Sequence, residues 1–415
     1  MEKRCPVHGA QRVRIAKHSW YYEGLDRFYR TLAGSGHALS HRTAEFYFLV
    51  LTRRCNLGCH ICFASAEQSD AKEDVTLDEV ERRVRGIVRR RRRVAIIGGE
   101  PTVRDDLPQV IRIISGAGHR PWLFSNGLRL VDRSYLQELV DAGLDMAWVW
   151  TDALSDDTAH EQIRGRALLA DKLLMLSNLQ AARVPTGLTQ VVVRGINEGE
   201  VAAIVDHCRR NAAVESIGIR GYSDLGRQYM GNAKELGIDE LVELVAQVTG
   251  GLVTMREFFL FQKLMYAVMV GYLRRPLCYN KQSILLPRGD RPRFRDLFDL
   301  DRLERALEEL ERDYAGQPAR ARVRLARRLL PSLVRNPRLV GGLADHLASY
   351  LLGRRISPLG RDYVRLGVAR FFSAHDYDGD ICRQRCNDVA LLEEGGPDLT
   401  DYCTSLLHEK GQGCG

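Results

Sequence analysis

The chain has 415 residues, of which 45% are hydrophobic and 27% charged, with a net charge of +8. That is enough to bury a large core in two or three domains, and it excludes wholesale disorder. It also excludes a confident transmembrane helix, because the nearest apolar run, Phe258 to Leu273, is broken by Gln262 and Lys263. The charged opening, MEKRCPVHGAQRVR, has no apolar signal segment, so a cytoplasmic protein is expected.

Residues 1–43, polar and aromatic, read as an N-terminal strap. From residue 44 short apolar runs alternate with amphipathic stretches. The runs are 46–51, 94–98, 121–125, 146–150, 186–193 and 216–221, and the stretches include 77–88, 105–115 and 134–141. Such alternation reads as βα units with a parallel sheet. Six units over residues 44–236 imply an α/β fold, a partial (β/α)6 barrel of the TIM type. Residues 237–313 look helical up to Leu273, with a hairpin or strand pair at 283–294 and a charged helix at 301–313. Residues 314–370 read as a basic helical subdomain interrupted by Pro331, Pro337 and Pro358, and 371–415 as an irregular Cys-rich tail. Residues 320–370 hold twelve Arg, no Lys and only Asp345 and Asp362, a charge of +10. Such a segment favours an anionic partner: a phosphate-bearing substrate, a lipid surface or nucleic acid. Its Leu and Val suit peripheral membrane contact, whereas no aromatic-rich basic stripe supports nucleic acid. The run Arg89 to Arg93 reads as a solvated helix end.

Ten cysteines stand at 5, 55, 59, 62, 208, 278, 382, 386, 403 and 414. In a reducing compartment, clustered cysteines more often bind metal or do chemistry than pair as disulfides. Cys55, Cys59 and Cys62 follow the first barrel strand with C-x3-C-x2-C spacing, which places them on the catalytic face of a parallel barrel. Three thiols are one short of a closed zinc site. They can hold three irons of a [4Fe–4S] cluster and leave the fourth open. His60 completing a zinc site is the competing reading. Cys208, in VDHCRRN, reads as a buried structural thiol.

This loop, with Phe63 after its last cysteine, resembles that of the radical S-adenosylmethionine (SAM) superfamily. Further matches follow at successive strand ends. Gly98, Gly99, Glu100 and Pro101 resemble the GGEP element that contacts the methionine amino group. Ser125 and Asn126 resemble the (T/S)NG turn. Thr151 and Asp152 stand where polar groups approach the ribose, and Gly195 and Asn197 resemble a GxN turn lining the SAM pocket. The resemblance implies an enzyme with a [4Fe–4S] cluster and SAM as cofactors, reduced by flavodoxin or ferredoxin. It would cleave SAM to a 5′-deoxyadenosyl radical and abstract hydrogen from an unactivated carbon. Glycines at 98 and 99 are expected to let backbone approach the ligand.

For the C-terminal cysteines, an auxiliary iron–sulfur cluster is the better reading, with Cys278, Cys382, Cys386 and Cys403 as ligands and Cys414 as the alternative fourth. Cys5 in CPVHG, LTQVVVRGIN (188–197), the turn Leu225–Gly226–Arg227 and FFSAHD (371–376) add a looser resemblance. It is to tetraether-lipid synthases and pterin-methylating radical SAM enzymes, and it implies C–C bond formation or methyl(ene) transfer on a lipid-like or anionic small molecule. Modification of a peptide or natural-product precursor is the alternative. A non-catalytic iron–sulfur or zinc protein that binds nucleic acid is the third reading.

Overall fold

The computed structural model describes residues 2–5, 9–12, 14–34, 46–66, 74–87, 91–223, 226–228, 235–274, 277, 281–335, 362–370 and 388–390. It opens with a hairpin of β1 (Glu2–Cys5) and β2 (Gly9–Arg12), then helix α1 (Ser19–Ala33). β3 (Phe46–Thr52) leads into the cysteine loop, which contains the short strand β4 (Ile61–Cys62), and on to α2 (Leu77–Arg85). The barrel units continue as β5 (Arg93–Gly98), α3 (Leu107–Gly116), β6 (Arg120–Ser125), α4 (Arg133–Asp141) and β7 (Met146–Trp150). Two helices, α5 (Thr158–Arg164) and α6 (Leu169–Ala181), precede β8 (Thr186–Val192), α7 (Glu200–Arg210) and β9 (Val214–Gly221). Beyond them lie β10 (Arg227–Gln228), α8 (Ile238–Val248), α9 (Met255–Tyr266) and its π-helical continuation Ala267–Tyr272. The last elements are β11 (Lys281–Pro287), α10 (Phe294–Leu297), α11 (Leu300–Tyr314), α12 (Pro318–Arg335), β12 (Tyr363–Ala369) and β13 (Asp388–Ala390).

The six strands β3 and β5–β9 are parallel and adjacent in chain order, as the alternation predicted. They form an open, partial (β/α)6 barrel of TIM type. Period-two side chains sort its two faces. Along β3, Tyr47, Leu49 and Leu51 join the large core under the helices. Phe46, Phe48 and Val50 face the other way, with Ala95, Ile97 and Phe124. On that inner face, the Phe124 and Trp148 rings stack 5.6 Å apart at 5°, and Trp122 lies 6.1 Å from Trp148. Trp148 donates its indole N–H to Thr189 and lies flat on Gly187, where a Cβ would come within 2.5 Å of the ring.

The structure corrects several expectations. Residues 281–287 form no local hairpin: β11 pairs antiparallel with the distant β12, which pairs parallel with β9. The segment 314–370 is therefore not wholly helical, and α12 runs through Pro331 instead of breaking there. The N-terminal strap carries a packed helix, because Tyr21, Leu25, Phe28 and Leu32 recur at helical spacing and are all buried. Asp239 ties down its start, accepting the Lys17 and His18 N–H groups at 2.6 Å each. Arg93 belongs to β5 and stacks over Trp122 at 5.1 Å; it is no helix end. Cys208 is fully buried, as expected, and burial pushes its thiol far up. Among the described residues no helix is long and apolar enough to cross a membrane.

Candidate active site at the cysteine loop

The loop leaves the C-terminal end of β3 and is held from several sides. Thr52 hydrogen-bonds Asp74, and Asp74 pairs with Arg54 at 2.6 Å. The His60 N–H donates to the Ile163 carbonyl at 3.0 Å, and His60 Nδ1 meets the Gln162 carbonyl at 2.8 Å, docking the loop on the end of α5. On the other flank β4 pairs with β10, and Arg227 reaches the Cys59 carbonyl at 3.4 Å. This pairing gives Gly226 and Arg227 a place beside the cysteine loop. Gly226 has φ +76°, and a Cβ there would stand 2.0 Å from the Cys62 carbonyl oxygen.

Cys55, Cys59 and Cys62 are all free and partly exposed. Burial pushes the Cys55 thiol up to about 12, with Glu100 and the other two thiols adding to the rise. A thiolate there needs an added positive charge, which bound iron provides. Among the described residues no three His, Cys, Asp or Glu side chains gather as a single-ion site requires. The donor set is three thiols, with His60 engaged on α5, and it fits a four-iron cluster better than one zinc ion. Phe63 packs on the inner barrel face beside Phe48, Val50 and Phe124.

The ends of β5 and β6 meet the loop through Glu100. Its buried carboxylate accepts from Ser125 Oγ (2.7 Å), Asn126 N–H (2.6 Å), Thr102 N–H (3.1 Å) and Thr102 Oγ1 (2.6 Å). Burial raises the Glu100 pKa against the pull of those donors. Asn126 Nδ2 donates to Asn56 Oδ1 at 2.7 Å, joining the Ser125–Asn126 turn to the cysteine loop. Pro101, buried, begins the short helical turn 101–103. The two glycines have a different reason from the one expected. A Cβ on Gly98 would lie 2.2 Å from the Thr52 carbonyl oxygen, and one on Gly99 would lie 2.2 Å from that of Arg54. They let the end of β5 touch the root of the loop.

At the ends of β7 and β8 the side chains are turned to internal work. Thr151 donates to the Ala153 carbonyl at 3.0 Å. Asp152, 1% exposed, is held by Arg164 at 2.6 Å. Burial opposes ionisation of Asp152, but the Arg164 charge and hydrogen bond hold its carboxyl below the usual range. Asn197 Nδ2 donates to the Asp152 and Val191 carbonyls at 3.1 and 2.9 Å, clamping these strand ends together. The expected contacts of Asp152 with a ribose and of Asn197 with a ligand would have to displace these bonds. Gly195 differs: its φ is +82° and nothing lies within 4 Å of an added Cβ, so one side of that turn is open.

Two site residues escaped the sequence reading, Arg164 and Lys172. Lys172 lies on the buried stripe of α6 with Met175, Leu176 and Leu179, and a lone lysine on an apolar helical stripe was the available signal. It donates to the Asn126 carbonyl at 2.5 Å, and burial lowers its pKa to about 8. The unfolded chain, near 10.5, holds this proton when the native chain does not, so stability rises with pH between about 8 and 10.5 and that gain is lost as pH falls through 8. Denaturant melts should show Lys172→Met more stable than wild type at pH 7, with the gap narrowing by about 2 kcal/mol by pH 10. A gap independent of pH would refute the depressed value.

Cys278, Cys382, Cys386, Cys403 and Cys414 lie outside the described residues, as does the side chain of Cys5.

Residues 49–208 match the family model of the Radical SAM superfamily. The chain is 30% identical over 217 residues to 7,8-dihydro-6-hydroxymethylpterin dimethyltransferase of Methanocaldococcus jannaschii, covering 50% of this chain and 43% of that protein. It is 32% identical over 180 residues to a "Probable GTP 3′,8-cyclase" of Pyrococcus abyssi, covering 41% of this chain and 55% of the relative. The chain thus spans about half the length of these relatives. Among solved structures, Streptococcus suis SuiB bound to S-adenosylmethionine aligns with a TM-score of 0.41 and 16% identity, over 50% of this chain and 47% of that one. With its cysteine loop and parallel half-barrel, the stretch 49–208 of this chain is a domain of the radical SAM superfamily.

Proposed function

We propose that this protein cleaves SAM reductively at the Cys55–Cys59–Cys62 loop and abstracts hydrogen from an unactivated carbon of a small, anionic molecule. The observation that carries this reading is the set of three free thiols at the C-terminal mouth of the half-barrel, next to the Glu100–Ser125–Asn126 frame. A [4Fe–4S] cluster held by the thiols, with SAM on its open iron, would supply one electron to the C5′–S bond and so the 5′-deoxyadenosyl radical. The chain's own part is orientation and exclusion of water. Glu100 fixes Ser125 and Asn126 against the loop, the open side of Gly195 admits the ligand, and Phe63 closes the loop onto the inner barrel face.

For the substrate, the inner face offers ring surfaces just below the loop, where Phe124 stands 6.3 Å from Phe48 and 5.8 Å from Trp150. Such a wall suits a planar heterocycle better than an acyl chain. The relatives named for a pterin and for GTP support the same choice, with methyl(ene) transfer or C–C bond formation as the outcome. A reduced flavodoxin or ferredoxin would be the electron donor. A second cluster on Cys278, Cys382, Cys386 and Cys403 (or Cys414) belongs to the proposal too, and would give about eight irons per chain instead of four.

The test is anaerobic incubation of reconstituted protein with SAM and dithionite, following 5′-deoxyadenosine by mass spectrometry. Deuterium transfer from labelled candidates into that product identifies the substrate. A full iron complement with no 5′-deoxyadenosine, even with cell extract as a substrate source, would overturn the reading.

Peripheral membrane contact through α12 completes the proposal. Val323, Leu330 and Val334 are 52%, 55% and 68% exposed at helical spacing, among exposed arginines. Replacing all three with serine should cut co-sedimentation with phosphatidylglycerol vesicles by at least about tenfold. Equal binding by the variant, or no preference over phosphatidylcholine vesicles, would argue against the contact.

A further inference from the structure

Two charges lie buried on either side of the Ser125–Asn126–Gly127 turn. Glu100 is 1% exposed and Lys172 3%. Among the described residues neither has an opposite charge in ion-pair contact, and Asp152, the other buried carboxylate of the site, is committed to Arg164. What joins the two charges is the turn itself. Lys172 Nζ donates to the Asn126 carbonyl at 2.5 Å. The N–H of that same peptide, on Gly127, donates to Ser125 Oγ at 2.8 Å, and Ser125 Oγ donates to Glu100 Oε1 at 2.7 Å. The Asn126 N–H meets the other Glu100 oxygen at 2.6 Å. An ammonium and a carboxylate therefore hold one turn between them, through a chain of hydrogen bonds that runs across a single peptide group.

The rest of α6 braces the same segment by other means. Met175, one helical turn on from Lys172, packs on Gly127, where φ is +81° and a Cβ would stand 1.9 Å from Sδ. Asn178 donates to the Leu130 and Val131 carbonyls at 3.2 and 2.8 Å. An apolar residue at 172 would serve packing alone, without the desolvation cost of a buried ammonium. What the ammonium adds is charge at one end of the chain. Each bond polarises the next, which strengthens the hold of Ser125 on Glu100. The effect reaches the cysteine loop, because Asn126 Nδ2 is bonded to Asn56 Oδ1 at 2.7 Å.

We propose that Lys172 is a positioning residue for SAM: coupled to Glu100 through the Asn126–Gly127 peptide and Ser125, it fixes the turn that is bonded to the Cys55–Cys59–Cys62 loop. The inference rests on reading that frame as the SAM site.

The test is a double-mutant cycle on the reconstituted full chain, with SAM affinity measured by equilibrium dialysis in the absence of reductant. Lys172→Met should weaken SAM binding about tenfold in the wild-type background and less than about twofold beside Glu100→Gln, where the partner charge is already gone. Denaturant melts at pH 7 should leave Lys172→Met at least as stable as wild type, whereas a purely structural residue would lose stability together with affinity. Should Lys172→Met fail to fold, Lys172→Gln, which keeps a donor for the Asn126 carbonyl without the charge, is read by the same cycle. Wild-type affinity in the variant, equal weakening in both backgrounds, or weakening that comes with lowered stability would overturn the proposal. A wild type that carries its iron and binds no SAM would instead overturn the reading of the frame.

Discussion

Replacing Cys55, Cys59 and Cys62 together with alanine is expected to bring 5′-deoxyadenosine formation down to background, the largest effect available in this chain. The fold should survive the change. All three thiols are partly exposed and none belongs to the main core, so truncating them opens no large cavity. What disappears is three of the four free cysteines among the described residues, the fourth being the buried Cys208. Iron and sulfide content should fall by about four per chain if an auxiliary cluster persists, and to zero if none exists. Measuring both on the same preparation separates the loop from the C-terminal cysteines. Residual 5′-deoxyadenosine from the triple variant would place radical initiation somewhere other than this loop.

Gly99→Ala should produce the second-largest loss, although the residue carries no functional group. The added methyl would lie 2.2 Å from the Arg54 carbonyl oxygen and 2.8 Å from that of Arg53. Both are backbone atoms, so the end of β5 and the root of the cysteine loop must separate. Overpacking of this kind costs about 1–3 kcal/mol, and a misplacement of about 1 Å near reacting groups can cost about 100-fold in rate. The expected result is a SAM-cleavage rate about 100-fold down with a melting temperature lowered by only a few degrees. Gly116→Ala, at the C-terminal end of α3, is the control: its Cβ meets nothing within 4 Å, so rate and stability should stay near wild type. Equal rates for Gly99→Ala and wild type would mean that the contact between β5 and the loop does not position the site.

Local patterns made the half-barrel and the cysteine loop legible. A strand buried on both faces writes itself as an apolar run, and the loop's three cysteines fall within eight residues. The helix at 19–33 was legible in principle, since Tyr21, Leu25, Phe28 and Leu32 repeat at intervals of four, three and four; the polar residues between them masked it. Val364, Leu366 and Val368 likewise alternate with Tyr363, Arg365 and Gly367, a period-two signal lost inside an Arg-rich segment read as helical. What no local pattern carries is the partner. Nothing in 363–369 announces that it will lie beside β9, or that β11 will pair with it from the other side. Arg164 was hidden for a related reason, because its role comes from three-dimensional proximity to Asp152.

The place of β12 between β9 and β11 bears on how the chain is made. During synthesis β11 leaves the ribosome well before the strand it pairs with, and α10, α11 and α12 must follow before the gap can be filled. Until then β9 and β11 present unpaired N–H and C=O groups, a template for any passing extended segment. Non-local pairing of this kind is slow to form. A chain cut before Tyr363 would keep its cysteine loop and still expose both edges, so shortened forms should aggregate or trade strands between copies.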